Sequence, residues 1–270
     1  MNVTVFTSNR PRHLALIETL AGIADELFAV QECTTMFPGR VQDFYNKSRI
    51  MQRYFSHVLE AEHTVFGPPR FAPRNARQMP IRMGDLNLMD LEDLGPALES
   101  DAYIVFGASY IKGPLADYLV QRQAINIHMG VSPYYRGSST NFWALYDGRP
   151  EYVGATIHRL TSGLDSGPIL LHAFPATEPT APFLLGMRAV RSAHLAVADK
   201  LASGALFALE PHAQDKTRQL RYSRNAEFTD DVAEDYLEHR LMNADAVAKS
   251  LQRRDLTQFV RPYIPDGAMS

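Results

Sequence analysis

The chain reads as an α/β protein with a mostly parallel central sheet flanked by helices and a mainly helical C-terminal appendage. Three observations predict this. An apolar strand, Val3 to Phe6, is followed by an apolar-periodic helix across Leu14 to Leu20 and a second strand, Leu27 to Val30; that is a βαβ unit, the usual start of a parallel sheet. Further short apolar runs follow at Tyr103 to Phe106, in AINIHM from Ala124, in GATIHRL from Gly154 and in ILLHAFP from Ile169. Beyond Leu209 the chain is charged, with helical spacing and no run of alternating strands, so we expect a domain over 1–209 and a helical extension over 210–270.

The composition bounds the function. A chain of 270 residues with 46% hydrophobic residues can bury a large core. One cysteine, Cys33, excludes an internal disulfide and a thiolate metal cluster, which fits a reducing compartment. No stretch approaches the length of a membrane span, and the apolar run at the N-terminus is too short for a signal peptide. The expectation is a cytoplasmic protein that binds no membrane. A formal net charge of −3 argues against affinity for a phosphate backbone, so no nucleic-acid partner is expected.

Along the chain, the opening lacks G-x-G-x-x-G, the dinucleotide fingerprint. Residues 40–62 read as one long helix with apolar spacing across Phe44, Ile50, Tyr54, Phe55 and Val58. Its His57 and His63 are six apart, on different faces, and are read as incidental to packing. Residues 67–84, with four arginines, four prolines and no acid before Asp85, read as a stiff loop. Arg74 and Arg77 are its candidates for gripping a phosphate or diphosphate, against the plainer reading of a solvated connection. The turn after Phe106 contains Ser-x-x-Lys (Ser109, Lys112), a chance match without companion motifs. Residues 183–207 form a long helix with small residues for close packing.

The chemistry concentrates between Ala124 and Leu171. Asn126 and His128 lie two apart on a strand, and a period of two puts both on one face. The loop SPYYRGSS ends in hydroxyls able to cap a helix beginning near Asn141, and the strand GATIHRL runs into TSGLDSGP, a turn around Asp165. Taken alone, Asn126 could serve a strand end and Asp165 a turn. An amide, an imidazole and a carboxylate returning to one place instead suit acyl transfer. Donors can meet negative charge developing on a carbonyl oxygen, and the carboxylate can hold an imidazolium. His158, on the GATIHRL strand, is read as a satisfied buried histidine. Arg136 can either bond its own loop or meet substrate.

These residues resemble the folate-dependent formyltransferase family. Its pattern reads here as Asn126-Ile127-His128, Pro133-Tyr134-Tyr135-Arg136-Gly137, Gly154-Ala155-Thr156-Ile157-His158 and Asp165-Ser166-Gly167. The run Gly130-Val131-Ser132-Pro133 departs from the Ser-Leu-Leu-Pro of many members. The resemblance implies a Rossmann-like formyltransferase fold and an N10-formyltetrahydrofolate cosubstrate with no metal. It implies Asn126, His128 and Asp165 as catalytic residues. Val105, Ser109, Tyr110, Ile111 and Leu164 would receive the pterin.

The acceptor expected is a primary amine on a nucleotide-linked sugar, because the tail lacks the alternating strands of the β-barrel that methionyl-tRNA enzymes carry. That would place the chain in polysaccharide biosynthesis. Methionyl-tRNA and glycinamide ribonucleotide are alternatives, as are formyltetrahydrofolate hydrolysis and a non-catalytic folate-binding protein on the same fold. The hydrolases carry a preceding regulatory domain, whereas here the first strand begins at Val3. A homodimer stays open.

Overall fold

The computed structural model of the chain describes residues 1–34 and 42–265. Its first elements are β1 (Asn2–Thr7), α1 (Pro11–Ala21) and β2 (Glu26–Cys33). The β-branched and aromatic side chains of β1 suit a pleated buried surface, and Val3, Val5 and Phe6 are fully buried. Pro11 opens α1, where a missing N–H costs no helical bond. Next come α2 (Gln42–Tyr45), α3 (Arg49–Phe66), β3 (Ala76–Arg82), α4 (Leu91–Leu94), β4 (Ala102–Val105), α5 (Gly113–Gln121) and β5 (Ile125–Met129). Then follow β6 (Tyr135–Gly137), α6 (Thr140–Tyr146), β7 (Ala155–Arg159), β8 (Ile169–Ala173) and α7 (Pro182–Ala202). The last elements are β9 (Arg221–Ser223), α8 (Asp230–Asp235), a π-helical turn at Tyr236–Arg240 and α9 (Ala244–Gln252).

Among the described residues, seven strands form the main sheet in the order β3-β2-β1-β4-β5-β7-β8. The first five run parallel. β7 is antiparallel to β5, and β8 to β7. One face packs on α1 and α7, where Leu16, Leu20, Ala193, Ala196 and Val197 meet Val5, Ile104, Ile127 and Ile157. The small residues of α7 let the helix lie close to the strands. The opposite face packs on α5 and the turns before β4. A parallel sheet covered on both faces is the arrangement that continuous apolar strands require.

Two expectations are corrected. The helix expected over 40–62 is two, α2 and α3, broken at Asn46–Ser48, with Ser48 accepting a bond from the Met51 N–H at 3.2 Å as the cap of α3. Residues 40 and 41 lie outside the described residues. The loop expected over 67–84 contains β3, paired with β2 from Leu27↔Ala76 to Cys33↔Arg82. Its side chains are largely exposed, so apolar alternation never marks it. Pro80 is tolerated because β3 is the outermost strand.

The C-terminal region is helical, as expected, but also supplies β9, which pairs in parallel with β6. Single bridges from His212 to Ile169 and from Tyr263 to Ala173 lie against β8. Tyr236, Val247, Leu251 and Phe259 join Tyr54, Phe142, Trp143 and Phe174 in one apolar cluster.

Candidate active site

From β1 the chain steps to β2 on one side, while β4 lies on the other. The loops leaving β1 and β4 therefore diverge, which opens a crevice at the carboxyl ends of these strands. A cavity of about 750 Å³ lies there. It is lined by Arg12 and His13 from the head of α1, by residues 105–111 after β4, by 126–129 of β5, by Gly137, Ser138 and Ser139 after β6, by the loop after β7, and by Asn225.

Asn126 pairs with Val105 on one side and His158 on the other, so β5 carries it to the lip of the cavity. Its side-chain N–H groups donate to Asp165 Oδ1 at 3.0 Å and to His158 Nε2 at 3.0 Å. The His158 imidazole donates from Nδ1 to the Arg159 carbonyl at 2.9 Å, which leaves Nε2 a lone pair for Asn126. This chain of bonds orients the Asn126 amide. His158 is buried and satisfied, as its sequence suggested.

His128 places Nδ1 3.2 Å from Asp165 Oδ2, and its Nε2 is buried without a hydrogen-bond partner. A buried polar atom left unpaired costs stability, so its presence in a cavity wall signals a ligand atom. Asp165 sits at φ +44°, the left-handed region that a non-glycine residue adopts at a cost. Two residues on, Gly167 passes close to β7, where a Cβ would stand 1.8 Å from the Arg159 carbonyl oxygen. Burial would raise the Asp165 carboxyl, but the His128 imidazole beside it outweighs burial and holds it far below the usual carboxylate range. Asp165 is therefore an anion. Among the described residues no cluster of three or more His, Cys, Asp and Glu side chains could hold a metal ion.

Residues 81–180 match the family model described as formyl transferase. That segment, 100 of the 270 residues, is similar to the formyl transferase family. It holds Asn126, His128, Asp165 and most of the residues that line the cavity, though not Arg12, His13 or Asn225. Over 160 residues the chain is 32% identical to a methionyl-tRNA formyltransferase of Synechococcus sp. (strain JA-3-3Ab), covering 57% of this chain and 48% of that protein. A methionyl-tRNA formyltransferase of Granulibacter bethesdensis is 38% identical over 140 residues, 46% of this chain and 44% of that protein. The chain thus spans about half the length of the curated relatives it matches. Among solved structures, a 4-N formyltransferase from Francisella tularensis aligns with a TM-score of 0.52 at 14% identity, over 93% of this chain and 87% of that one. An N-formyltransferase from Helicobacter canadensis, solved with folinic acid and dTDP-3-aminofucose, aligns with a TM-score of 0.51 at 12% identity, over 97% and 83%. At these identities the likeness is one of fold.

Within the formyl transferase segment, Val105, Ser109, Tyr110, Ile111 and Leu164 all line the cavity. The Tyr110 hydroxyl donates to the Ser162 carbonyl and so ties the loop after β4 to the loop after β7. The loop after β4 is held from behind by Glu32, which is fully buried. Glu32 Oε2 accepts from the Ser109 N–H at 2.6 Å and Oε1 from the Gly84 N–H at 2.8 Å. Asn87 adds a second strap, donating to the Tyr110 carbonyl at 3.0 Å and accepting from the Lys112 N–H at 2.8 Å.

Arg74 and Arg77 do not join the site: neither is among the residues that line the cavity. Arg77 lies on β3, opposite Phe28 near the start of β2, and pairs with Glu26 at 3.2 Å. The strand pairing that the sequence did not reveal carries it away from the carboxyl ends. Arg136 is also outside the lining, reaching Gln219 at 3.4 Å. Ser139, expected among the capping hydroxyls, precedes α6 without capping it. Sequence reasoning missed Arg12, His13, Glu32 and Asn225. The first two follow the first strand directly, which is the signal that could have found them.

Proposed function

We propose that the protein transfers a formyl group from N10-formyltetrahydrofolate to a primary amine borne by a nucleotide-linked sugar. The observation that carries this is the unpartnered His128 Nε2, with Nδ1 on an anionic Asp165, in the floor of a cavity large enough for two ligands. The same orphaned donor, beside Val105, Ile111, Leu160 and Leu164, fits an apolar ring system carrying a carbonyl.

Formyltetrahydrofolate, when bound, supplies an activated formyl group at N10. Val105, Ile111 and Leu164 exclude water from its ring, and Tyr110 closes the mouth. In its cationic form His128 donates from Nε2 to the formyl oxygen as negative charge develops there. Asp165 stabilises that cation through Nδ1 and, through water, passes the proton released by the attacking amine to N10, whose bond to the formyl carbon breaks as tetrahydrofolate leaves. Asn126 has both N–H groups engaged by Asp165 and His158, so it holds the carboxylate in place. It donates to the oxyanion only when Asp165 releases it. Arg74, Arg77 and Arg136 take no part in this scheme.

Among the fold neighbours, the N-formyltransferase solved with folinic acid and dTDP-3-aminofucose supports the sugar acceptor. A second reading, methionyl-tRNA as acceptor, is favoured by the relatives that match residue by residue. The test is to incubate the protein with formyl-folate and dTDP-3-aminofucose, methionyl-tRNA or glycinamide ribonucleotide and weigh the products. A gain of one formyl group on the sugar nucleotide is expected. Formyl-folate consumption without a formylated amine would reassign the activity as hydrolysis.

A further inference from the structure

Direct transfer needs two ligands in one cavity, and the two sides of this cavity differ in chemistry. The loops after β4 and β7 present Val105, Ile111, Leu160 and Leu164, whereas the loop after β6 presents Ser138 and Ser139, joined by Asn225 from beyond β9. An apolar wall suits a pterin. A wall of hydroxyls and a carboxamide suits a ligand rich in hydroxyls.

Asn225 belongs to the C-terminal region, 60 residues on in sequence from Asp165, and the structure delivers it with care. β9 pairs with β6 from Tyr135↔Arg221 to Gly137↔Ser223. Gly137, at φ +90°, lies so close to β9 that a Cβ would stand 2.0 Å from the Ser223 carbonyl oxygen. The buried Ser223 hydroxyl donates to the Ser138 carbonyl at 2.7 Å, and the Ser138 N–H donates to the Ser223 carbonyl at 2.9 Å. Arg221 lies over the Trp143 ring at 3.7 Å and pairs with Asp147 at 2.9 Å. Just past the strand, the Arg224 N–H donates to Glu227 Oε1 at 2.8 Å and fixes the turn that carries Asn225. Ser139 adds a second sign, since it holds a left-handed backbone at φ +53° and its hydroxyl does not serve the helix that follows.

We propose that Asn225 selects the acceptor. Its carboxamide, with the Ser138 and Ser139 hydroxyls, hydrogen-bonds the ring hydroxyls of an amino sugar and turns the sugar amine toward His128. Arg221 and Ser223 are positioning residues that act through the turn. This rests on the formyl-transfer reading above and names the residue that chooses among its acceptors.

The test compares wild type with Asn225→Ala, using dTDP-3-aminofucose, methionyl-tRNA and glycinamide ribonucleotide as acceptors. Asn225→Ala is expected to raise KM for dTDP-3-aminofucose about tenfold, the effect of one lost polar contact, while KM for formyl-folate stays within about twofold. Ser223→Ala is expected to raise the same acceptor KM, and Ser223→Thr, which keeps the hydroxyl, to restore it in part. An acceptor KM that does not move in Asn225→Ala overturns this inference and leaves formyl transfer standing. Formylation of methionyl-tRNA or glycinamide ribonucleotide but not the sugar nucleotide overturns it as well. A wild type that formylates none of the three overturns both.

Discussion

At the scale of single residues, the spacing Asn-x-His was enough to place two polar side chains on one face, because a strand alternates strictly. The contact with Asp165 was foreseeable only as a loop returning to the strand. Its closing distance depends on Gly167 and on a strained backbone at Asp165 itself. The role of Asn126 was not legible, since the two acceptors that engage its amide are 32 and 39 residues away in sequence. His128→Ala removes the donor facing the formyl oxygen and is expected to lower kcat about 10³-fold without loss of fold; turnover within about tenfold of wild type would remove His128 from the mechanism. In Asp165→Asn the anion that favours the imidazolium is gone. Without a carboxylate on its Nδ1 the imidazole loses its orienting partner, and kcat is expected to fall about 10²-fold. Turnover at the wild-type rate would show that the two side chains are not paired in the working enzyme.

At the scale of elements, β1, α1 and β2 were readable because their apolar periods are unbroken, whereas β3 was not. An outermost strand with arginines and a proline looks like a loop until its partner is known. Of the arginines assigned to substrate on that ground, Arg77 lies on β3 and Arg74 just before it, and neither lines the cavity. What the loop reading hid is Glu32, a buried carboxylate that joins the exits of β3 and β4 with one oxygen on each. In Glu32→Gln one of those oxygens becomes an amide N–H that meets a backbone N–H, donor against donor. The loop carrying Ser109 and Tyr110 then loosens, and KM for formyl-folate is expected to rise about tenfold with little change in kcat. Titration of folate binding by the variant measures it, and binding at wild-type strength would show that the strap does not set the loop.

At the scale of the whole molecule, the sequence indicated the layers and the helical C-terminus but not how the ends meet. Contacts such as His212 with Ile169 and Tyr263 with Ala173 are single bridges with no local pattern. The buried His172 and His194 were equally hidden, since nothing local separates these imidazoles in the core from ones in solvent. Burial pushes His172 down to about 4 and His194 down to about 3. Both are neutral in the folded protein, and the unfolded chain binds the extra protons below its ordinary value near 6.5. Stability is therefore complete above that pH and falls as acid is added, by about 1.4 kcal/mol per pH unit for each imidazole. His194 has an unpartnered Nε2 near Phe66 and Phe106, so His194→Leu should remove about one proton from the slope of unfolding free energy against pH between 6.5 and 4. Urea unfolding across that range measures it, and an unaltered slope would mean that His194 does not titrate with folding.

The two margins of the sheet carry a consequence for encounters between copies of the chain. On the β8 side the molecule lays its own tail along the backbone, and on the β3 side Pro80 removes one of the amide protons that a visiting strand would need. Backbone-to-backbone stacking is thus discouraged at both rims, and any pairing of subunits must be written in side chains, where specificity can be chosen residue by residue.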